Sequence, residues 1–181
     1  MPQVNRITIL LLLSLLFAGC SSSWKITSAK YKKPYYYFEP PPRWMISKHG
    51  PTALLSKHGP SLEKILILRQ RTTDTLNHTR LRLYPEMLPH ELGEVLLSRI
   101  IATPQVTDVL LLKEEVTNVD YRQAVKLTVS YKINAIEINE IIYAFIDRVF
   151  LYELRYCAAR RYYYEENLNT FETLVKSFRL R

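Results

Sequence analysis

Four runs between Val106 and Ala159 decide the fold: "VTDVLLLKEEV" (106–116), "YRQAVKLTVSYKI" (121–133), "EINEIIYAFIDR" (137–148) and "FLYELRYCAA" (150–159). Each alternates and is rich in the β-branched, aromatic and leucine residues that suit a pleated, half-buried surface. The interruptions are short and turn-like: Thr117-Asn118-Val119-Asp120, Asn134-Ala135-Ile136, and a break near Arg148-Val149. Long strands joined by such short links form an antiparallel meander. In the last run Tyr152, Leu154, Tyr156 and Ala158 share one face, and Glu153, Arg155 and Cys157 share the other, because successive side chains point to opposite sides of a strand.

Working outward, "LPHELGEVLLSRIIATP" (88–104) predicts a helix. Pro89 suits the first helical position, Glu91 lies in the first turn against the positive end of the dipole, and Leu92, Val95, Leu96 and Ile100 make an apolar stripe. Further upstream "LEKILILRQR" (62–71) is apolar on both faces at its centre, as a strand internal to a sheet would be, and Thr52 to Ser56 is a shorter candidate strand. At the other end "NLNTFETLVKSFRL" (167–180) places Asn169 as an N-cap with Glu172 three residues on. Phe171, Leu174, Val175 and Phe178 follow on one stripe, and Tyr162-Tyr163-Tyr164 just before it suits a wedge between sheet and helix or an aromatic platform for sugars. The fold class is α+β: an antiparallel meander with flanking helices in α/β/α layers.

The five letters Ser-Lys-His-Gly-Pro occur twice, at Ser47–Pro51 and Ser56–Pro60. Gly supplies positive φ and Pro ends strand pairing, so both copies are expected to be turns. With a strand between them, His49 and His58 stand about 30 Å apart at about 3.3 Å per residue, too far to share a metal. His90 and Glu94 lie four apart on one helical face, but no second histidine completes a zinc-protease pattern, and a solvated pair is expected. No cofactor is implied.

At the N-terminus, Arg6 precedes the apolar run Ile7–Phe17, which is shorter than the roughly 20 residues a membrane span requires and reads as a secretory signal peptide. The following Ala18-Gly19-Cys20-Ser21 resembles the bacterial lipobox, with Phe17 where that motif usually has Leu. The resemblance implies lipidation of Cys20 as the first mature residue. Ser21, where an inner-membrane retention signal has Asp, implies an outer-membrane, periplasm-facing address. Cys157 is then the sole remaining thiol, no intramolecular disulfide is possible, and the core must hold the fold. The expected organisation is a signal peptide over residues 1–19, a lipid-anchored tether over 20–43 and a single α+β domain over 44–181.

The tether mixes serines, prolines and a tyrosine run with Lys25, Lys30, Lys32 and Lys33. Cations interleaved with amphipathic rings suit a membrane interface; equally, the stretch suits a solvated spacer whose aromatics pack on the domain. A formal net charge of +8 favours anionic headgroups or lipopolysaccharide phosphates, and the exported compartment disfavours nucleic acid.

Trp44 after the prolines, the "YELRYCAA" strand and the closing "FETLVKSFRL" are similar to bacterial members of the PsbP and Mog-like α/β/α superfamily. Members of that superfamily act mainly as binding or assembly modules, one on a photosystem and another on a small GTPase, so the resemblance implies a non-catalytic role. No shared site motif carries a functional residue across. Three classes of function are open: a lipid-anchored envelope accessory or scaffold module that binds an envelope protein; a binder of an envelope lipid, glycan or lipopolysaccharide; and a hydrolase. The last has no Gly-x-Ser-x-Gly, no paired-carboxylate motif and no metal cluster in the sequence.

Overall fold

A computed structural model describes residues 24–26, 30–47 and 52–181. The order is β1 (Trp24–Ile26), β2 (Tyr31–Lys32), β3 (Tyr36–Phe38), β4 (Met45–Ser47), β5 (Ala53–Ser56), β6 (Glu63–Arg71), α1 (Pro89–Ile101), β7 (Val106–Val119), β8 (Arg122–Ile133), β9 (Ile136–Asp147), β10 (Phe150–Ala159), α2 (Tyr163–Ser177) and β11 (Arg179–Leu180). Eight strands form one antiparallel sheet in the order β1-β4-β5-β6-β10-β9-β8-β7. A small sheet, β11-β3-β2, lies beside it.

The expected meander is β7 to β10, and its turns are tighter than the sequence suggested. β7 runs through Thr117 and Asn118 to Val119, leaving Asp120-Tyr121 as the turn, and Asn134-Ala135 is the next. All four turn residues have positive φ, the conformation of a two-residue hairpin whose twist matches its strands.

Each face of the large sheet carries a helix, which gives the α/β/α layers. On one side Phe171, Leu174, Val175 and Phe178 pack with Ile65, Ile67, Tyr143, Phe145, Tyr152, Leu154 and Tyr156. On the other, Leu92, Val95, Leu96 and Ile100 of α1 pack on Val125, Leu127, Val129, Ile142 and Leu151. The predicted division of β10 into two faces is observed. At Gly93 α1 lies against the Glu114 side chain of β7: a Cβ there would stand 2.8 Å from its carboxylate.

Two expectations are corrected. α2 begins at Tyr163, so Asn169 lies inside the helix and does not cap it. Two interactions start the helix early. Tyr156 donates to the Tyr163 carbonyl at 2.6 Å and stacks on Tyr164, and Glu165 and Glu166 suit the first turn. Glu172 instead accepts from Tyr143 and Lys126 of the sheet at 2.6 and 2.9 Å.

The folded body also begins before residue 44. Tyr36 and Phe38 are buried in the α2-side core, and Trp24–Ile26 pairs with β4. Arg69 holds the segment in place, its guanidinium lying between the rings of Tyr35 and Phe150 at 3.8 and 3.3 Å while Nε donates to Tyr152. Of the two readings of the tyrosine run, the one in which its aromatics pack on the domain describes this arrangement. Among the described residues no helix is long and apolar enough to cross a membrane.

Candidate functional site

The most exposed apolar element is β7. Among the described residues it is the last strand of the sheet and pairs only with β8, so its outer backbone N–H and C=O groups have no partner strand there. Such an edge is a template for another extended chain. Along its 14 residues Leu110, Leu111, Leu112 and Val116 are 61, 42, 55 and 62% exposed, and Tyr121 at the hairpin tip is 93% exposed. The edge also carries protective features. The register shifts between Thr107 and Leu110 and again between Leu111 and Lys113, Asp108 has positive φ and pairs with Lys132 at 2.7 Å, and Lys113 pairs with Glu115 at 2.7 Å. Bulges and charges of this kind restrict which strand can add to an edge.

Behind α1 lies a buried ionic chain. Arg99 grips Glu153 with both terminal nitrogens, Nη1 at 2.8 Å from Oε1. Arg155 donates from Nε to Glu140 at 2.7 Å and reaches Glu153 at 3.7 Å, and the Tyr131 hydroxyl donates to the other Glu140 oxygen at 3.0 Å. Burial pushes the Glu153 carboxyl up, but the Arg99 hydrogen bonds and the charges of Arg99 and Arg155 outweigh it and hold the group below the ordinary carboxylate range.

Cys157 ends this chain, 3.5 Å from the Tyr131 hydroxyl. Burial, and then the Glu140 charge, push its thiol up to about 11, while burial and Glu140 push the Tyr131 phenol well above its ordinary value. Neither group is activated as a nucleophile, since a reactive cysteine needs exposure and a lowered pKa. Among the described residues no cluster of three or more His, Cys, Asp or Glu side chains is placed to hold a metal ion.

Of the residues singled out in the sequence, Cys20 and His49 lie outside those described. Lys25 sits exposed on β1, Lys32 exposed on β2, and Lys30 lies 4.2 Å over the Tyr37 ring; Lys33 is half-buried. They are thus divided between the edge of the large sheet and the small one. His58 caps its own turn: its backbone N–H and its Nδ1 meet the Glu63 carboxylate at 2.9 and 2.7 Å, and Gly59 has φ of 112°. Asn167 of α2 donates to the second oxygen of the buried Glu63, which accounts for this histidine structurally. His90 and Glu94 are both exposed. Of the tyrosine run, Tyr164 is buried and Tyr162 exposed. The β7 edge went unread in the sequence, although "LLLKEE" carried its signal: three leucines in succession break strict alternation, and the charges after them suit an edge.

A sheet between two helical layers, with one helix before the antiparallel meander and the other after it, defines a protein of the α+β sandwich class. The particular fold is PsbP-like. The chain is similar to the cyanobacterial PsbP protein CyanoP of Synechocystis, with a TM-score of 0.57 and 12% identity over 92% of this chain and 99% of that one. It is similar to LpqN of Mycobacterium tuberculosis, described as involved in cell envelope biogenesis, with a TM-score of 0.55 and 12% identity over 87% and 91% of the two chains. It also matches a Bacteroides thetaiotaomicron protein at a TM-score of 0.53 and 10% identity, covering 84% of this chain and 48% of the other, so it spans about half of that protein's length. No family model and no curated protein matches the sequence.

Proposed function

We propose that this chain is a lipid-anchored, non-catalytic accessory module of the bacterial cell envelope that binds an envelope protein by taking an extended segment of it onto β7. The observation that carries this is the β7 edge, with one side unpaired among the described residues along a strand of 14 residues and four exposed aliphatic side chains. Strand addition draws affinity from main-chain hydrogen bonds and specificity from alternate side chains, and it asks for no catalytic group.

The likeness to LpqN, a protein described by its part in envelope biogenesis, supports the compartment. The signal-peptide pattern and Cys20 support anchoring, and Ser21 supports the outer membrane. Lys25, Lys30, Lys32 and Lys33 add a pull toward anionic headgroups of about 1 kcal/mol per cation near the surface.

Leu112→Pro combined with Val116→Lys removes a backbone donor and places a charge on the edge without touching either core. The variant is expected to melt like the parent yet lose co-purification with the partner retained by the parent chain from envelopes. Retained co-purification would place docking elsewhere. Separately, Cys20→Ser is expected to leave an unlipidated precursor, and an acylated species in that mutant would remove Cys20 as the anchor.

A further inference from the structure

Between β6 and α1, residues 72–88 form neither helix nor strand. Leu76 and Leu83 are buried in the α1-side core and pin the segment at two points. Between them the chain arches beside a cavity of about 610 Å³ whose walls carry Arg80, Arg82, Thr72, Thr73, Thr75 and Thr79, the Thr72 hydroxyl donating to the Val149 carbonyl at 3.5 Å. A second cavity of about 350 Å³ shares Thr75 with the first, and its walls include Gln70, Asn77, His78, Arg99 and Arg155. Volumes of this size take small-molecule ligands.

The charges in these walls are unevenly matched. Arg80 and Arg82 make no ion pair or hydrogen bond among the described residues. Lying two apart, they are placed to act together. The one acid in either wall, Asp74, is engaged through Oδ2 by the Arg71 backbone N–H at 3.0 Å. In the second cavity Arg99 and Arg155 are held rigid by Glu153 and Glu140, and each guanidinium has five N–H donors of which those pairs use a part. Gln70 borders the same cavity, and its Nε2 is buried with no partner. Arginine forks and threonine hydroxyls suit phosphate, whose several acceptor oxygens take charge-assisted bonds from both. The amides of Gln70 and Asn77 suit the hydroxyls of a sugar.

We propose that these two neighbouring cavities bind a phosphorylated sugar, its phosphate held by Arg80, Arg82 and the hydroxyls of Thr73, Thr75 and Thr79 and its sugar ring reaching past Thr75 to Asn77 and Gln70. The site belongs to the 72–88 segment and stands independently of any docking on β7. The same chemistry is offered by a free sugar phosphate and by a lipid headgroup, and titration of the full-length chain in a zwitterionic detergent separates the two.

Glucose-1-phosphate is the soluble probe, phosphatidylinositol in mixed micelles the lipid probe, and glucose the control without phosphate. Saturable one-to-one binding of either phosphorylated probe, with none of glucose, is expected. Tighter binding of the lipid probe assigns the headgroup as the source, and tighter binding of the soluble one assigns a free sugar phosphate. Arg80→Gln with Arg82→Gln is expected to weaken binding at least about tenfold, as loss of charge-assisted contacts does, at an unchanged melting temperature. Thr75→Val is expected to weaken it less. Absence of saturable binding by both probes, unchanged affinity in the double variant, or attachment to phosphatidylglycerol vesicles without binding of either probe would each overturn the assignment.

Discussion

The two faces of the large sheet are built from different chemistry. The α2 face is dominated by aromatic packing: Phe145 stacks on Tyr152 at 5.3 Å, Tyr156 on Phe171 at 5.6 Å, and Phe178 sets its edge toward Phe145 and Tyr152, while its charged groups, Glu63, Arg69 and the Lys126–Glu172 pair, lie at its margins. The small sheet closes over this side, bringing Tyr36 within 5.4 Å of Phe178. The α1 face is aliphatic around a buried run of two arginines and two glutamates, and it borders the 72–88 cavities and the open β7 edge. Aromatic packing stabilises through buried area and preferred ring geometry, whereas buried charges stabilise only when every partner is present. The difference teaches that one face secures the fold while the other, bordered by uncovered surface, is where binding is expected.

The largest expected effects come from breaking each face at its centre. Phe171→Ala removes a fully buried ring and is expected to cost about 3–5 kcal/mol. Arg99→Ala leaves Glu153 buried beside Arg155 alone and is expected to cost a similar amount, about 3–5 kcal/mol. Chemical denaturation measures both. The faces separate on a further test: Arg99→Met with Glu153→Met keeps the Arg155–Glu140 pair and is expected to be neutral or stabilising, which no truncation on the α2 face can be.

Acidity sharpens the contrast. The pKa of Glu153 in the folded chain lies below its ordinary 4.5, so its stabilising contribution is present above that value and is lost as pH falls through the lowered one. Melting temperature is therefore expected to drop on acidification below about pH 4.5, and the drop is expected to be smaller in the Arg99→Met, Glu153→Met variant. An equal acid loss in parent and variant would assign it to other carboxylates.

Smaller effects are expected where the N-terminal segment and α2 join the sheet. Tyr156→Phe removes the donor to the Tyr163 and Tyr164 carbonyls and is expected to cost about 1–2 kcal/mol by thermal melting. Tyr35→Ala takes one ring from the Arg69 sandwich, leaves Phe150 in place, and is expected to cost about 0.5–1 kcal/mol.

Much of this was legible in the residues themselves. The four long strands, α1 with its stripe and the two faces of β10 follow from periods of 2 and 3.6, because those segments bury one or both faces of regular elements. The start of α2 was not legible. Tyr162-Tyr163-Tyr164 carries no cap, and the helix begins there because Tyr156, on the preceding strand β10, bonds its first-turn carbonyls, a contact that no local pattern announces. The packing of Tyr36 and Phe38 was legible only as one of two readings, since a short proline-flanked run gains its partners from Phe178, β2 and β11. Of the site, Glu153, Arg155 and Cys157 could be placed together on one face, but Arg99 joins them from another element. The cavities beside Arg80 and Arg82 depend on where two leucines pin an irregular segment, which no local pattern encodes.

The account is tested most directly by placing a photo-crosslinking amino acid at Leu112 or Val116 on β7, and at the exposed Thr173 on α2, in the full-length chain within intact envelopes. The account predicts a discrete protein adduct from both β7 positions, none from Thr173, and loss of the Val116 adduct when Leu112→Pro is added. Adducts from Thr173 with none from β7, or a β7 adduct indifferent to the proline, would contradict it.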